Sequence, residues 1–552
     1  MMAPSYASPI PSGFQTLILL GPGISLNTFT SSGFPKCLLP VANRPMVWYT
    51  LDWCYRMGIT NITLITPPDN KPQLEAALST DPHLTSLPSP SPDLLAPVDL
   101  TLTTGTAELL RLPEVQSCIK SDFLLLPCDL ICELPGESIL DAWQVSQSAL
   151  GGSTLRSWDT NGPRTLGMGG EAGGRRGGLA VFYQTKDREE SVKEVPDFVA
   201  TAPLEQDEAP IVSHPPDGPA ALRYNLRKLV LSMPMDTLKE RMEEQKGFLV
   251  RHALVKRHAQ VKMLTGYRDA HIYAFPYWVK QFSSLNERFE SVSEDLVGWW
   301  AKAEWQTGLG QKLRLDEIFK KPNASHEDDD LAIEEEIDLR AMSTTKTSCK
   351  DSPKTQFASR IQHSDAESTE LTIPPILAYI HSSIPSAPLV RRVDSSALLL
   401  SLSLRLAKLE SVEEAGRAAS PFAHNQKIAY PAGVAQRCTV TKTDCLLDRD
   451  VTVAEKCVVK ESVIGANCQI ASGARLTRCL VMDGAVIGER CQLTGCIIGR
   501  RSQIGRESNL KDCEVQDGNI VPEETEAKNE KFMVFEGLDE DEDGIDSDDV
   551  GG

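Results

Sequence analysis

The residues best placed to do chemistry follow the first apolar run. Residues 14–20 read as a short strand, and Gly21-Pro22-Gly23 comes directly after it. A glycine loop behind a strand lets backbone N–H groups approach a phosphate. Pro22 has no N–H to donate, and a lone GxG is a weak signal. More specific is the run from Phe34 to Met46, FPKCLLPVANRPM, which carries the ammonium of Lys36 and leads into an amphipathic helix over 45–57. A second apolar strand, 123–127, ends at Asp129. The nine histidines form no HExxH pair and the fourteen cysteines no CxxC pair, so no metal centre and no cofactor is expected. Eight cysteines fall between Cys438 and Cys513 and read as buried, reduced, small apolar residues.

Alternating strands and helices must position these groups. Strands are expected over 61–66, 98–103 and 123–127, with a helix over 71–79. That alternation implies an α/β layer with a mainly parallel sheet. From 151 to about 221 the pattern dissolves into Gly- and Pro-rich sequence around one strand, 178–184, and reads as an insertion or long loop. Helix and strand signals return at 237–245 and 270–275. Trp299, Trp300 and Trp305 have helical spacing and read as core or interface packing. The composition turns polar and acidic over 321–370, a linker, and the segment 371–429 connects it onward through a strand at 373–380 and a helix at 396–409. Residues 1–13 and the acidic stretch 516–552 are expected to be disordered, leaving 14–320 as the first domain.

The second domain, 430–515, declares itself by repetition. From Leu447 to Glu514 the chain repeats every seventeen residues in blocks of six, six and five, each opened by an aliphatic residue such as Ile464, Ile487, Ile498 or Ile504. A small or apolar residue, such as Cys457, Cys468, Ala474 or Ser502, follows four places later. This is the hexapeptide signature of a parallel β-helix, in which each coil buries its apolar edge against its neighbours.

Composition excludes several classes. A formal net charge of −20 over 552 residues argues against a nucleic-acid surface. No apolar run reaches the roughly 18 residues of a membrane span, and the first residues lack the basic and apolar regions of a signal peptide. A cytoplasmic protein is expected.

The glycine loop, the PKCLLPVANRPMV stretch and a hexapeptide solenoid behind them resemble the sugar-phosphate nucleotidyltransferases, over roughly 14–280 and 430–515. The resemblance implies an α/β nucleotidyltransferase-like, Rossmann-type domain followed by a left-handed parallel β-helix. Carried over residue by residue, it places Gly21, Gly23 and Lys36 at a nucleotide pocket and Asp129 at the carboxylate that holds magnesium. This sequence departs from the pattern. The loop arginine is missing, with Leu26 and Asn27 near its place, Pro22 interrupts the loop, and the second carboxylate, in a W-x-D-x-G-like segment, has no counterpart. A degenerate pocket with no catalytic residue is therefore expected, since phosphoryl transfer depends on positioned charge.

Three longer stretches, PKCLLPVANRPMVWYTLDWCYRMGI, GFLVRHALVKRHAQVKMLTGYRDAHIYAFPYWV and NLKDCEVQDGNIVPEETEAKNEKFMVFEG, resemble the gamma-subunit family of translation initiation factor 2B. That implies a non-catalytic subunit that pairs with the epsilon-type subunit in a hetero-oligomer with alpha, beta and delta types. The assembly would exchange GDP for GTP on initiation factor 2. The epsilon family continues into a helical exchange domain, and no helical periodicity follows Lys511 here. The alternative is an active sugar-phosphate nucleotidyltransferase such as a mannose-1-phosphate guanylyltransferase.

Overall fold

The computed structural model describes residues 14–21, 26–31, 33–101, 103–147, 176–186, 188–204, 225–319, 373–382, 384, 387–416 and 419–533. The expectations for 1–13, for 321–370 and for the end of the acidic stretch lie outside the described residues.

The first domain is built on a nine-stranded sheet. Its order is Asp93–Leu95, Asn61–Ile65, Gln15–Leu19, Phe123–Pro127, Lys262–Phe275, Leu179–Gln184, Leu377–Ile380, Leu226–Pro234 and Asp197–Ala202. The first four strands are parallel, which explains why Phe123–Pro127 is apolar throughout: both of its faces are covered. Lys262–Phe275 then runs antiparallel to its neighbours, so the sheet is mixed rather than mainly parallel.

Four expectations need correction. The strand placed at 98–103 lies instead at Asp93–Leu95, paired with Thr63–Ile65, and Val98 is 82% exposed. The apolar signal there was two leucines before Pro97, not the valine after it. The stretch 151–221 is no mere insertion, because Leu179–Gln184 and Asp197–Ala202 are integral strands of the sheet. The segment 371–429 is more than a connection, because Leu377–Ile380 enters the sheet between Leu179–Gln184 and Leu226–Pro234. Finally, the solenoid does not stop at 515. Strands Ile520–Val521, Glu526–Lys528 and Lys531–Phe532 continue its three sheets. Val515, Val521, Ala527 and Phe532 keep the six, six, five register, while Glu523, Glu524 and Lys528 are exposed. Outward acidic residues had hidden a coil whose inward positions are intact.

The second domain is three parallel sheets of short strands, as expected of a left-handed β-helix. Leu447, Ile464, Val481, Ile498 and Val515 stack as one ladder, each at most 1% exposed. The glycine after the aliphatic residue has a steric reason: a Cβ at Gly505 would lie 2.4 Å from the Glu523 nitrogen of the next coil. On one sheet the residue preceding the ladder is also apolar. Leu446, Val463, Leu480 and Ile497 point outward yet are at most 3% exposed, because they join the first domain's core beside Leu398, Leu399 and Leu402 of helix Ser396–Ala407.

Candidate functional site

Lys36 opens a short 3₁₀ turn, Lys36–Leu38, and Asp129 follows the central strand Phe123–Pro127. The structure brings them together: the Lys36 Nζ lies 2.6 Å from Asp129 Oδ2. A third group, unforeseen from sequence, completes the cluster. Val390–Arg392 pairs antiparallel with Leu130–Cys132, and the Val393 N–H donates to the Asp129 carbonyl, which sets Arg392 beside the carboxylate. The Arg392 Nε and Nη2 donate to Asp129 Oδ1 and Oδ2 at 3.2 and 3.3 Å. Burial by itself would push the Asp129 carboxyl up, but the Arg392 guanidinium and Lys36 ammonium hold it well below the usual carboxylate range. Burial likewise opposes the Lys36 charge, and Asp129 outweighs it, so the lysine is held above its usual value.

Gly21 is exposed, with open space around it, and Gly23 lies outside the described residues, as does Pro22. Leu26, near the place of the missing loop arginine, is a core residue, 1% exposed. No distance gathers Gly21 with Lys36 and Asp129.

The magnesium implied by the nucleotidyltransferase resemblance does not fit these residues. Both Asp129 oxygens are taken by cations, and the described residues contain no group of three His, Cys, Asp or Glu side chains able to hold a metal. Asp269 lies in the same buried neighbourhood. It accepts from the Tyr273 hydroxyl and the His271 N–H, at 2.5 and 2.8 Å, and burial with Asp197 beside it pushes its carboxyl up to about 7. The only sequence signal for Arg392 was an Arg-Arg pair in an otherwise apolar stretch. Nothing local tied it to a residue more than 260 positions away.

The PKCLLPVANRPMV stretch also joins the two domains. Asn43 Nδ2 donates to the Ile464 carbonyl of the solenoid at 2.9 Å. Arg44 donates to the Phe422 and Ala423 carbonyls at 2.9 and 2.8 Å, and its guanidinium sits 4.3 Å over the Trp48 ring. Arg500 of the solenoid pairs with Asp517 and covers the Phe34 ring, so its role exceeds that of an exposed charge. A cleft of about 500 Å³ opens along this joint, lined by Asp81, His83, Asp448, Asp483 and Arg500 among others. Neither Lys36 nor Asp129 lines it. The Cys457, Cys468, Cys479, Cys491, Cys496 and Cys513 thiols are free and buried in the solenoid. Trp300 and Trp305 are buried, their indole N–H groups donating to the Pro374 and Val230 carbonyls, while Trp299 is partly exposed.

Residues 441–535 match the family model of the GMPPB C-terminal domain. The chain is 24% identical over 336 residues to the translation initiation factor eIF2B subunit gamma of Schizosaccharomyces pombe, covering 60% of this chain and 61% of that protein. On these two findings the chain is similar to eIF2B gamma subunits and to nucleotidyltransferase-like proteins that carry a hexapeptide-repeat domain, as its sequence motifs implied.

Proposed function

We propose that this chain is a non-catalytic, gamma-type subunit of the guanine nucleotide exchange factor for translation initiation factor 2. The observation that carries the reading is the Asp129 carboxylate clamped between Lys36 and Arg392. In a nucleotidyltransferase that carboxylate would serve a metal, and here it serves the fold. Similarity to the yeast eIF2B gamma subunit supports the choice of assembly. In this reading the chain pairs with an epsilon-type subunit, joins alpha-, beta- and delta-type subunits, and works in the cytoplasm. It contributes protein surface that holds initiation factor 2 while its partner acts, and a second tethered contact raises effective concentration without new chemistry. Gly21, Gly23, Lys36 and Asp129 are then the remnant of a nucleotide pocket.

Release of fluorescent GDP from initiation factor 2 tests this, measured with this chain, the epsilon-type subunit, and both. The chain by itself is expected to leave the rate unchanged, and both together to exceed epsilon. Strong exchange by this chain, or no rise with both, overturns the reading. In a parallel assay with Mg²⁺, GTP and mannose 1-phosphate, pyrophosphate release is expected at background. Turnover of roughly 1 per second or more would instead establish the nucleotidyltransferase.

A further inference from the structure

One stretch runs against the charge of the whole molecule. Between Lys246 and Arg268 there is no acidic residue, in a chain whose net charge is −20. The stretch begins just after helix Met235–Gln245 and takes in helix His252–Arg257 and the first residues of strand Lys262–Phe275. Its cations divide into two kinds. Arg268 is engaged by Glu194 and Asp394 and belongs to the interior. Arg251, Lys256 and Arg257 are exposed and carry no ion pair among the described residues.

Large apolar side chains stand exposed between those cations: Leu249 is 69% exposed, Val250 46% and Val255 55%. Beside them Lys302 lies 4.5 Å from the Trp299 ring centre. Burial, then the charges of Arg241 and Arg251, push the Lys302 ammonium down to about 8. Three cations thus crowd one another here. Glu294 and Asp295 offset part of this on the Lys302 side, while Glu294 also accepts from the Thr237 hydroxyl and Asp295 from the Glu290 and Ser291 N–H groups. Cations with no ion pair among the described residues, set around exposed aliphatics, favour an incoming surface that is acidic and also apolar.

We propose that this face, centred on Arg251, is a docking site for an acidic, aliphatic-bearing segment of a second protein. A nucleic acid fits less well. The exposed Leu249, Val250 and Val255 are aliphatic, where single strands want stacking aromatics, and the partly exposed Trp299 ring is already covered by Lys302. A long polyanion would also run off the patch onto a strongly acidic molecule. A short acidic segment escapes that repulsion and places its own aliphatic groups against Leu249 and Val255. This inference rests on the patch and not on the subunit assignment above.

Fluorescence anisotropy on the full chain tests it with three probes. These are a short peptide of Asp and Glu with interspersed leucines, its counterpart with serine for leucine, and a single-stranded RNA oligomer. The leucine peptide is expected to bind best and to weaken as salt rises. Arg251→Glu with Lys256→Glu should weaken it by roughly tenfold or more, and Leu249→Ser should weaken the leucine peptide but not the serine one. All three positions are exposed, so the melting temperature should hold. If the double variant does lose stability, the Leu249→Ser comparison decides. No binding of the leucine peptide, equal binding by the variants, or tighter binding of RNA overturns the proposal.

Discussion

At the scale of single residues, the Asp129 cluster shows how a buried carboxylate is satisfied by charges from distant parts of the chain. It follows the central strand, and Lys36 and Arg392 pair with it from either side in sequence. Removing its charge is therefore a structural injury. Asp129→Asn leaves Lys36 and Arg392 facing each other in a buried site, and breaking such a cluster costs about 3–5 kcal/mol. Lys36→Met is expected to cost less, because Arg392 still pairs with the carboxylate. Urea unfolding near neutral pH measures both. The wild-type contribution of Asp129 is complete above the ordinary carboxyl value of 3.8 and fades as pH falls below it, since the folded carboxyl lies lower still. An Asp129→Asn variant as stable as wild type would remove the structural role.

At the scale of elements, the solenoid separates inward from outward residues with a period that composition blurs. Ile487 is fully buried and Glu489 exposed two positions later. Ile487→Asp places a carboxylate without a partner among apolar ladders, and such a group costs several kcal/mol. The variant should be insoluble or melt far lower, while Glu489→Ala should melt within about a degree or two of wild type, as surface changes do. Equal melting of the two would show that the six, six, five register is wrong. The same register explains why the final coil persists to Phe532: its outward glutamates touch water, and its inward residues still stack.

At the scale of the whole molecule, the two domains share a core. Leu446, Val463, Leu480 and Ile497 lie in one apolar cluster with Val47, Leu398 and Leu402. Past Ile497 this outward ladder becomes Glu514, whose carboxylate takes the Ser396 and Thr28 hydroxyls at 2.5 and 3.2 Å, and it pairs with Lys531. The apolar contact thus ends in a polar seal at the edge of the joint. Domains joined through a common core should unfold together, so calorimetry is expected to show one transition for the wild type. Arg44→Ala removes two bonds to the Phe422–Ala423 backbone and the stacking on Trp48, leaving those carbonyls buried without donors. It should lower that transition or split it. Two well-separated transitions in the wild type would show that the shared core does not couple the domains.

How much of this was legible follows from how far apart the interacting residues lie. The repeat could be read from Leu447 to Glu514 because each solenoid coil meets its neighbour seventeen residues away, so local spacing and tertiary contact are the same fact. The strand Phe123–Pro127 and the helix Met46–Arg56 were likewise visible in their own apolar patterns. A trace of the domain joint was present too, as the paired aliphatics Leu446-Leu447, Val463-Ile464, Leu480-Val481 and Ile497-Ile498, in which one member had no inward place to go. Long-range placement left no such trace. That Leu377–Ile380 slots into the first domain's sheet, and that Arg392 arrives with the following strand to occupy Asp129, depends on segments hundreds of residues apart meeting only when the sheet closes. Residue type and spacing decided the sequence's local elements and its repeat. Only the tertiary structure decided which charges they would share.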